Sequence, residues 1–174
     1  TGARIVPILP FGNLTSGTTR FVWSKPAGAN TYQLDLLDDD GKTVHSATTT
    51  DTFATIDLRT LNLEADRLYA WKVHVPGNTS LSTLPLSFAL STAEAQTAAA
   101  NRASNSAIYR DGGPMERGLM EAVALERAEW FEAAEQRYAA LLNQNPKDKM
   151  LRIMYAAFWM RYGLEPKAKE VLKG

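Results

Sequence analysis

The chain has 174 residues, of which 45% are hydrophobic and 22% charged, with 19 Lys and Arg against 19 Asp and Glu. These globular proportions exclude a wholly disordered chain, and zero formal charge removes the electrostatic drive toward DNA or RNA, so no nucleic-acid partner is expected. Cysteine is absent, which excludes disulfides, thiolate metal sites and a cysteine nucleophile, and no apolar run approaches the roughly 18 residues of a membrane-spanning helix.

The chain opens on Thr1, with no methionine and no charged-then-apolar leader. The expectation is a removed signal segment or an excised piece of a longer protein, and a periplasmic or otherwise extracytoplasmic location of the bacterial exported type, with the cytoplasm as the alternative. From there the apolar residues alternate with period two. Arg4–Leu9 is a first strand, and in the next Thr19, Phe21 and Trp23 share one face. Tyr32, Leu34 and Leu36 share one face of a third strand, and Asp40-Gly41 then marks a tight hairpin, because glycine adopts the positive φ of a primed turn. Lys42–Thr49 follows, then Ile56 and Leu58, then Tyr69, Trp71, Val73 and Val75, and finally Leu84, Leu86, Phe88 and Leu90. About seven short strands with polar turns predict an antiparallel sandwich whose core carries Trp23, Tyr32, Leu34, Tyr69, Trp71 and Phe88.

Composition turns over near Ser91. Residues 1–91 hold 14 Thr and 8 Ala, residues 92–174 hold 2 Thr and 17 Ala, and all five Met lie in the later part. Threonine suits a pleated strand and alanine a helix, so the expected domains are a β-sandwich over 1–91 and an all-α region over 92–174. No Gly- or Pro-rich linker separates them, and rigid packing of the two is expected. Ser91-Thr92-Ala93-Glu94 has the form of a capping box, in which the Ser oxygen takes the third helical N–H. One helix is predicted from there to about Tyr109, stopping at Asp111-Gly112-Gly113, and Pro114 opens another. Beyond it Ala122 and Ala156, Leu125 and Trp159, Ala134 and Ala168, and Tyr138 and Leu172 each stand 34 residues apart. Gly163 falls where the first copy has Glu129-Trp130, and Pro146 ends the first unit. Two helix pairs and the leading helix make about five helices.

Two resemblances follow from these residues. Trp23-Ser24-Lys25-Pro26, Gly28, Tyr32-x-Leu34-x-Leu36 and the Leu63, Tyr69, Trp71, Val73 series resemble the tryptophan strand and tyrosine corner of fibronectin type III domains over roughly Arg4–Leu90. No Arg-Gly-Asp is present, so that family's integrin-binding loop is not implied. Phe131-Glu132-Ala133-Ala134-Glu135-Gln136-Arg137-Tyr138 with Pro146 resembles the second helix and terminal proline of a tetratricopeptide repeat, with one whole unit at 115–148 and a shortened one at 149–174. The sequence departs from that repeat at Gly118, where a large aromatic is usual, and in a first turn without glycine. The joint resemblance implies an immunoglobulin/fibronectin-like sandwich followed by a tetratricopeptide-like helical stack.

Chemistry-bearing patterns are sparse. His45 and His74 have no metal-spaced partners, and each reads as a surface histidine. Asp38-Asp39-Asp40-Gly41 fails as an EF-hand loop, because Leu36 and Ala47 would fill its first and last ligand positions; a hairpin turn explains the acids, a weak surface cation site being the other reading. Gly12 and Gly17 have P-loop spacing, but Thr18 stands where lysine is required. No nucleophile elbow or zinc helix occurs, so no catalytic residue, metal or cofactor is assigned and no enzyme activity is expected. By the repeat register, the inner surface of the first helices presents Leu119, Val123 and Arg127, then Ile153, Ala157, Met160 and Arg161. Arginine and methionine favour interfaces, so Leu119, Val123, Arg127, Ile153, Met160 and Arg161 are the expected partner-binding residues; the competing reading packs them against the 92–109 helix or the sandwich.

Residues 147–173 hold seven Lys or Arg against Asp148, Glu165 and Glu170, a surplus suited to an acidic peptide or an anionic lipid surface, or to a solvated helix face. The expected function is a non-enzymatic scaffold or interaction module that binds a protein or peptide mainly through its helical surface. The alternatives are a carbohydrate-binding accessory module, which needs an exposed aromatic platform, and a regulatory ectodomain held by an upstream membrane anchor.

Overall fold

A computed structural model describes residues 4–174; Thr1, on which the leader argument turns, lies outside them. The chain divides into two compact units that meet between Thr92 and Ala93. The first holds nine strands: β1 (Pro7–Leu9), β2 (Gly12–Thr15), β3 (Thr18–Trp23), β4 (Tyr32–Leu37), β5 (Thr43–Thr49), β6 (Phe53–Asp57), β7 (Leu68–Val75), β8 (Asn78–Ser82) and β9 (Leu86–Ser91). They form one sheet of order β1-β3-β6 and another of order β2-β9-β7-β4-β5, with β8 paired to β7. Side chains of both sheets meet in a single core, where the Phe21 ring stands edge-on to Trp71 at 5.4 Å and to Phe88 at 6.2 Å. Trp23, Tyr32, Leu34, Tyr69, Trp71 and Phe88 are all buried there.

Seven antiparallel strands were expected, and the structure corrects this to nine, one of them parallel. Pro10 has no N–H to extend the first strand's ladder. The chain crosses to the second sheet, and Gly12–Thr15 pairs parallel with Phe88–Ser91. The last strand also starts later than its alternation implies. Thr83 breaks the pattern: its Oγ1 accepts the Val73 N–H at 3.0 Å while its own N–H donates to the Val73 carbonyl at 2.8 Å. Leu84 is thereby turned out to solvent, and regular pairing resumes at Leu86. The Asp40-Gly41 hairpin is a five-residue loop over 38–42, with Gly41 at φ +77° and its N–H donated to the Asp38 carbonyl. Near β7 the Tyr69 hydroxyl accepts the Glu64 N–H at 2.8 Å, which ties the strand to the chain entering it.

The second unit holds α1 (Ala93–Asn101), α2 (Ala107–Asp111), α3 (Pro114–Arg127), α4 (Phe131–Gln144), α5 (Lys149–Arg161) and α6 (Glu165–Lys173). Six helices replace the expected five, because the predicted 92–109 helix breaks at residues 102–105. Ser104 donates its hydroxyl to the Asn101 carbonyl at 2.8 Å, a local bond that competes with the helical ladder in a stretch rich in Ser and Asn. The capping box is also displaced. Ser91 is the last residue of β9 and the helix opens at Ala93, so Glu94 is its second residue.

From α3 onward the 34-residue spacing holds in backbone detail. The turns of both helix pairs close identically: Glu129 N–H to the Glu126 carbonyl and Trp130 N–H to the Leu125 carbonyl, then Gly163 N–H to Met160 and Leu164 N–H to Trp159. Ala122, Ala134, Ala156 and Ala168 are all buried, and so are Leu125 and Trp159. Gly118 has a packing reason: a Cβ there would lie 2.8 Å from Leu141 Cδ2, so glycine lets α4 approach α3.

Candidate functional site

Within the helical unit a groove of about 430 Å³ runs between α3 and α5, lined by Val123, Glu126, Arg127, Tyr138, Met154, Ala157, Arg161 and Tyr162. Its floor is organised by one carboxylate. Glu126 accepts Arg161 Nε at 2.6 Å and Nη2 at 2.8 Å, the Tyr162 hydroxyl at 3.0 Å and the Tyr138 hydroxyl at 3.2 Å. A charge-assisted fork and two hydroxyl donors supply what this buried carboxylate loses in leaving water. Burial, and after it the Glu126 charge, pushes the Tyr138 and Tyr162 hydroxyls well above the usual phenol range, so both remain donors.

Arg127 differs from its neighbour. It is exposed at the groove rim, and among the described residues no carboxylate lies within ion-pair distance of it. The groove therefore combines an aliphatic wall (Val123, Met154, Ala157) with one cation whose charge is not balanced by contact.

The six expected partner-binding residues are dispersed. Val123, Arg127 and Arg161 line this groove, whereas Ile153 and Met160 are exposed elsewhere on α5 and Leu119 is buried. Leu119 is thus a packing residue in this structure, not a surface one. Glu126, Tyr138 and Tyr162 were not among those six; in sequence, a glutamate one residue before Arg127 reads as solvated.

A second groove of about 550 Å³ lies beside α1 and α2 and is lined in part by Gln96, Tyr109, Arg117, Glu121, Gln136 and Arg137. Its one carboxylate is paired. Arg137 pairs with Glu121 at 2.5 Å, and Arg117 lies 5.8 Å from the Tyr109 ring centre while donating to the Tyr109 carbonyl.

On the far side of α4, burial foremost and then the Glu135 charge push the Glu132 carboxyl up to about 7. Burial also raises Glu135, against the opposing pull of a bond from the Tyr155 hydroxyl and of the Lys167 charge.

In the β unit, Asp38, Asp39 and Asp40 cluster, and two of the three carboxylates have structural tasks. Asp38 Oδ1 accepts the N–H groups of Asp40 and Lys42, and Asp39 pairs with Arg67 at 2.5 Å. His74 is half-buried, with Nδ1 3.5 Å from Asp35, and His45 is half-buried on β5. Asp35 is itself buried; hydrogen bonds from Gln33 and Ser46, with the charges of His74 and Lys72, outweigh the opposing effect of burial and hold its carboxyl below the usual range. The tryptophans and tyrosines of the β unit are all buried, and the half-buried Phe53 lies under the Arg20 guanidinium at 3.8 Å. Among the described residues this unit offers no exposed aromatic platform for a sugar. Among the described residues no helix is long and apolar enough to cross a membrane.

No known protein family and no curated protein matches the chain. Among solved structures, a Faecalibacterium prausnitzii β-glucuronidase is similar over 50% of this chain at 18% identity and a TM-score of 0.33, and the match spans 14% of that enzyme's chain.

Proposed function

We propose that the chain is a non-enzymatic interaction module, with a fibronectin type III-like sandwich and a tetratricopeptide-like stack, that binds a protein or peptide partner chiefly through its helical surface. The sandwich reading draws support from the two sheets sharing one core and from the Tyr69 hydroxyl bonded back to Glu64, the geometry of a tyrosine corner. The repeat reading draws support from the 34-residue recurrence of both interhelix turns.

The function rests on one observation, the groove between α3 and α5 with its aliphatic wall and the unbalanced Arg127 at its rim. Such a surface suits an extended segment that carries an apolar side chain and an acidic one. The test is selection of displayed peptides on the immobilised full chain, followed by affinity measurement on variants. Arg127→Glu at the rim is expected to weaken the selected peptides tenfold or more. Leu84→Glu, on the exposed turn of the β unit, is expected to leave them unchanged. Loss of binding in Leu84→Glu alone would assign the partner to the sandwich and defeat the proposal.

A further inference from the structure

Four strands stand at the ends of the two sheets: β1, β6, β2 and β5. A strand in that position presents unpaired N–H and C=O groups, and natural proteins shorten it or guard it with charge or proline. β1 has three residues and carries Pro7, β2 has four, and β6 ends on Asp57. β5 has seven, and none of them is Lys, Arg, Asp, Glu, Pro or Gly. Its pairing with β4 slips between His45 and Thr43, which leaves residues 45–49 as the regular stretch of this edge.

The backbone groups that point outward can be read from β7. Val73 donates its N–H to Thr83 Oγ1 at 3.0 Å and accepts the Thr83 N–H at 2.8 Å, so its backbone faces away from β4. Leu34, opposite Val73, therefore directs its own N–H and C=O to its other neighbour, Ala47 of β5. Alternation along β5 then turns the N–H and C=O of Ser46 and Thr48 outward, and both residues are exposed. The Ser46 hydroxyl donates to Asp35 of β4 at 2.6 Å, which holds that side chain over the sheet and off its edge. Among the described residues no strand pairs with this outer side.

The edge is complementary to itself. Two copies related by a two-fold axis at Ala47 pair antiparallel, Ser46 of each exchanging both backbone bonds with Thr48 of the other. Ala47 then meets its own copy in the narrow, non-hydrogen-bonded position, where Cα atoms come within about 4.5 Å and a methyl group fits. Hydroxyl stands beside hydroxyl at Ser46 and Thr48, and no like charges face each other within the stretch. The nearest charged residues flanking β5 are Lys42, which separates it in sequence from the acids of the 38–40 turn, and Asp51. Neither forms an ion pair among the described residues. Antiparallel pairing brings Lys42 of each copy toward Asp51 of the other, whereas parallel pairing would set lysine beside lysine.

We propose that β5 is a self-association edge, through which two copies of this chain pair antiparallel across Ala47 and join their larger sheets into one. Each copy has one such edge, so the assembly closes at two. The contact is mainly backbone and buries little apolar surface, which makes the dimer weak and reversible. It is independent of the α3–α5 groove, and each can fail without the other.

Sedimentation equilibrium of the full chain, from micromolar to millimolar concentration, is expected to show a monomer–dimer equilibrium. Thr48→Pro removes an outward N–H that the β4 ladder does not use. It is expected to weaken the dimer at least tenfold while the dilute monomer keeps its unfolding temperature. Lys42→Glu and Asp51→Lys, each alone, place like charges at both ends of the dimer and are expected to weaken it severalfold. An equimolar mixture of these two variants restores opposite charges at both ends and is expected to regain the lost affinity. This exchange leaves the backbone untouched, so it decides the matter even if the proline loosens the strand. Arg127→Glu is expected to leave the dimer unchanged. A chain that stays monomeric throughout, a dimer indifferent to Thr48→Pro, or a mixture no tighter than its two components overturns the proposal. Binding of a threonine–valine heptapeptide to a chain that itself stays monomeric would make the occupant a foreign strand and also overturns it.

Discussion

Glu129 has φ of +63° and Gly163, its counterpart in the second helix pair, +73°. Both occupy the left-handed position that lets the next N–H reach back five residues and close the helix, a position natural to glycine and costly for a residue with a Cβ. Glu129→Gly is expected to stabilise the chain by about 0.5–1 kcal/mol, the backbone relief exceeding the added freedom of the unfolded glycine. Gly163→Ala is expected to destabilise by about 1 kcal/mol, and from backbone strain alone, since a Cβ there meets nothing within 4 Å. Thermal unfolding of the two variants checks the pair; a stabilising Gly163→Ala would contradict the argument. Sequence located this turn through Gly163 and the 34-residue spacing, yet the strain at Glu129 emerges only when the two turns are compared bond for bond.

Helix pairs are joined by side chains far apart in sequence. Arg161 and Tyr162 lie 35 and 36 residues from the Glu126 they bind, and Tyr138 lies 12 away. Arg161→Ala leaves the Glu126 carboxylate, 10% exposed, with tyrosine hydroxyls but no cation. The expected cost is about 2–3 kcal/mol, below the range for fully buried pairs because the Arg161 side chain is itself half exposed. Tyr138→Phe removes one neutral donor and is expected to cost about 1 kcal/mol. Urea unfolding followed by helical circular dichroism measures both, and an Arg161→Ala loss no larger than that of Tyr138→Phe would show that the guanidinium is dispensable. Apolar spacing made Leu125, Tyr138 and Trp159 legible as interior residues. Glu126 was not legible, because a carboxylate on an amphipathic helix reads as solvated. Its one signal was the mismatch with Met160 across the repeat, acid in one copy and apolar in the other.

At the scale of the whole chain, the shift from threonine to alanine marked the passage from strands to helices, because propensity summed over some 90 residues outweighs local noise. Two short strands were illegible for the converse reason: Gly12–Thr15 and Asn78–Ser82 have turn-like composition and become strands only through pairing with β9 and β7. Charge offers a test of the folded chain as a unit. Formal charge is zero and the sequence isoelectric point is about 6.7, if every glutamate titrates normally. Glu132 does not, its carboxyl being raised from 4.5 to about 7. Between those values the folded chain binds a proton that the unfolded chain has released, so stability is fully present below about 4.5 and is lost as pH rises through about 7. At neutral pH the retained proton is worth about half a charge, which places the native isoelectric point above the denatured one. Glu135, shifted in the same direction, adds to the difference. Glu132→Gln is expected to narrow the gap between native and urea-denatured focusing positions, to flatten the fall in stability across that pH window, and to stabilise the chain at pH about 8 by on the order of 2 kcal/mol. An unchanged pH slope in Glu132→Gln would show that α4 buries no such proton, and the native and denatured chains would then focus alike but for Glu135.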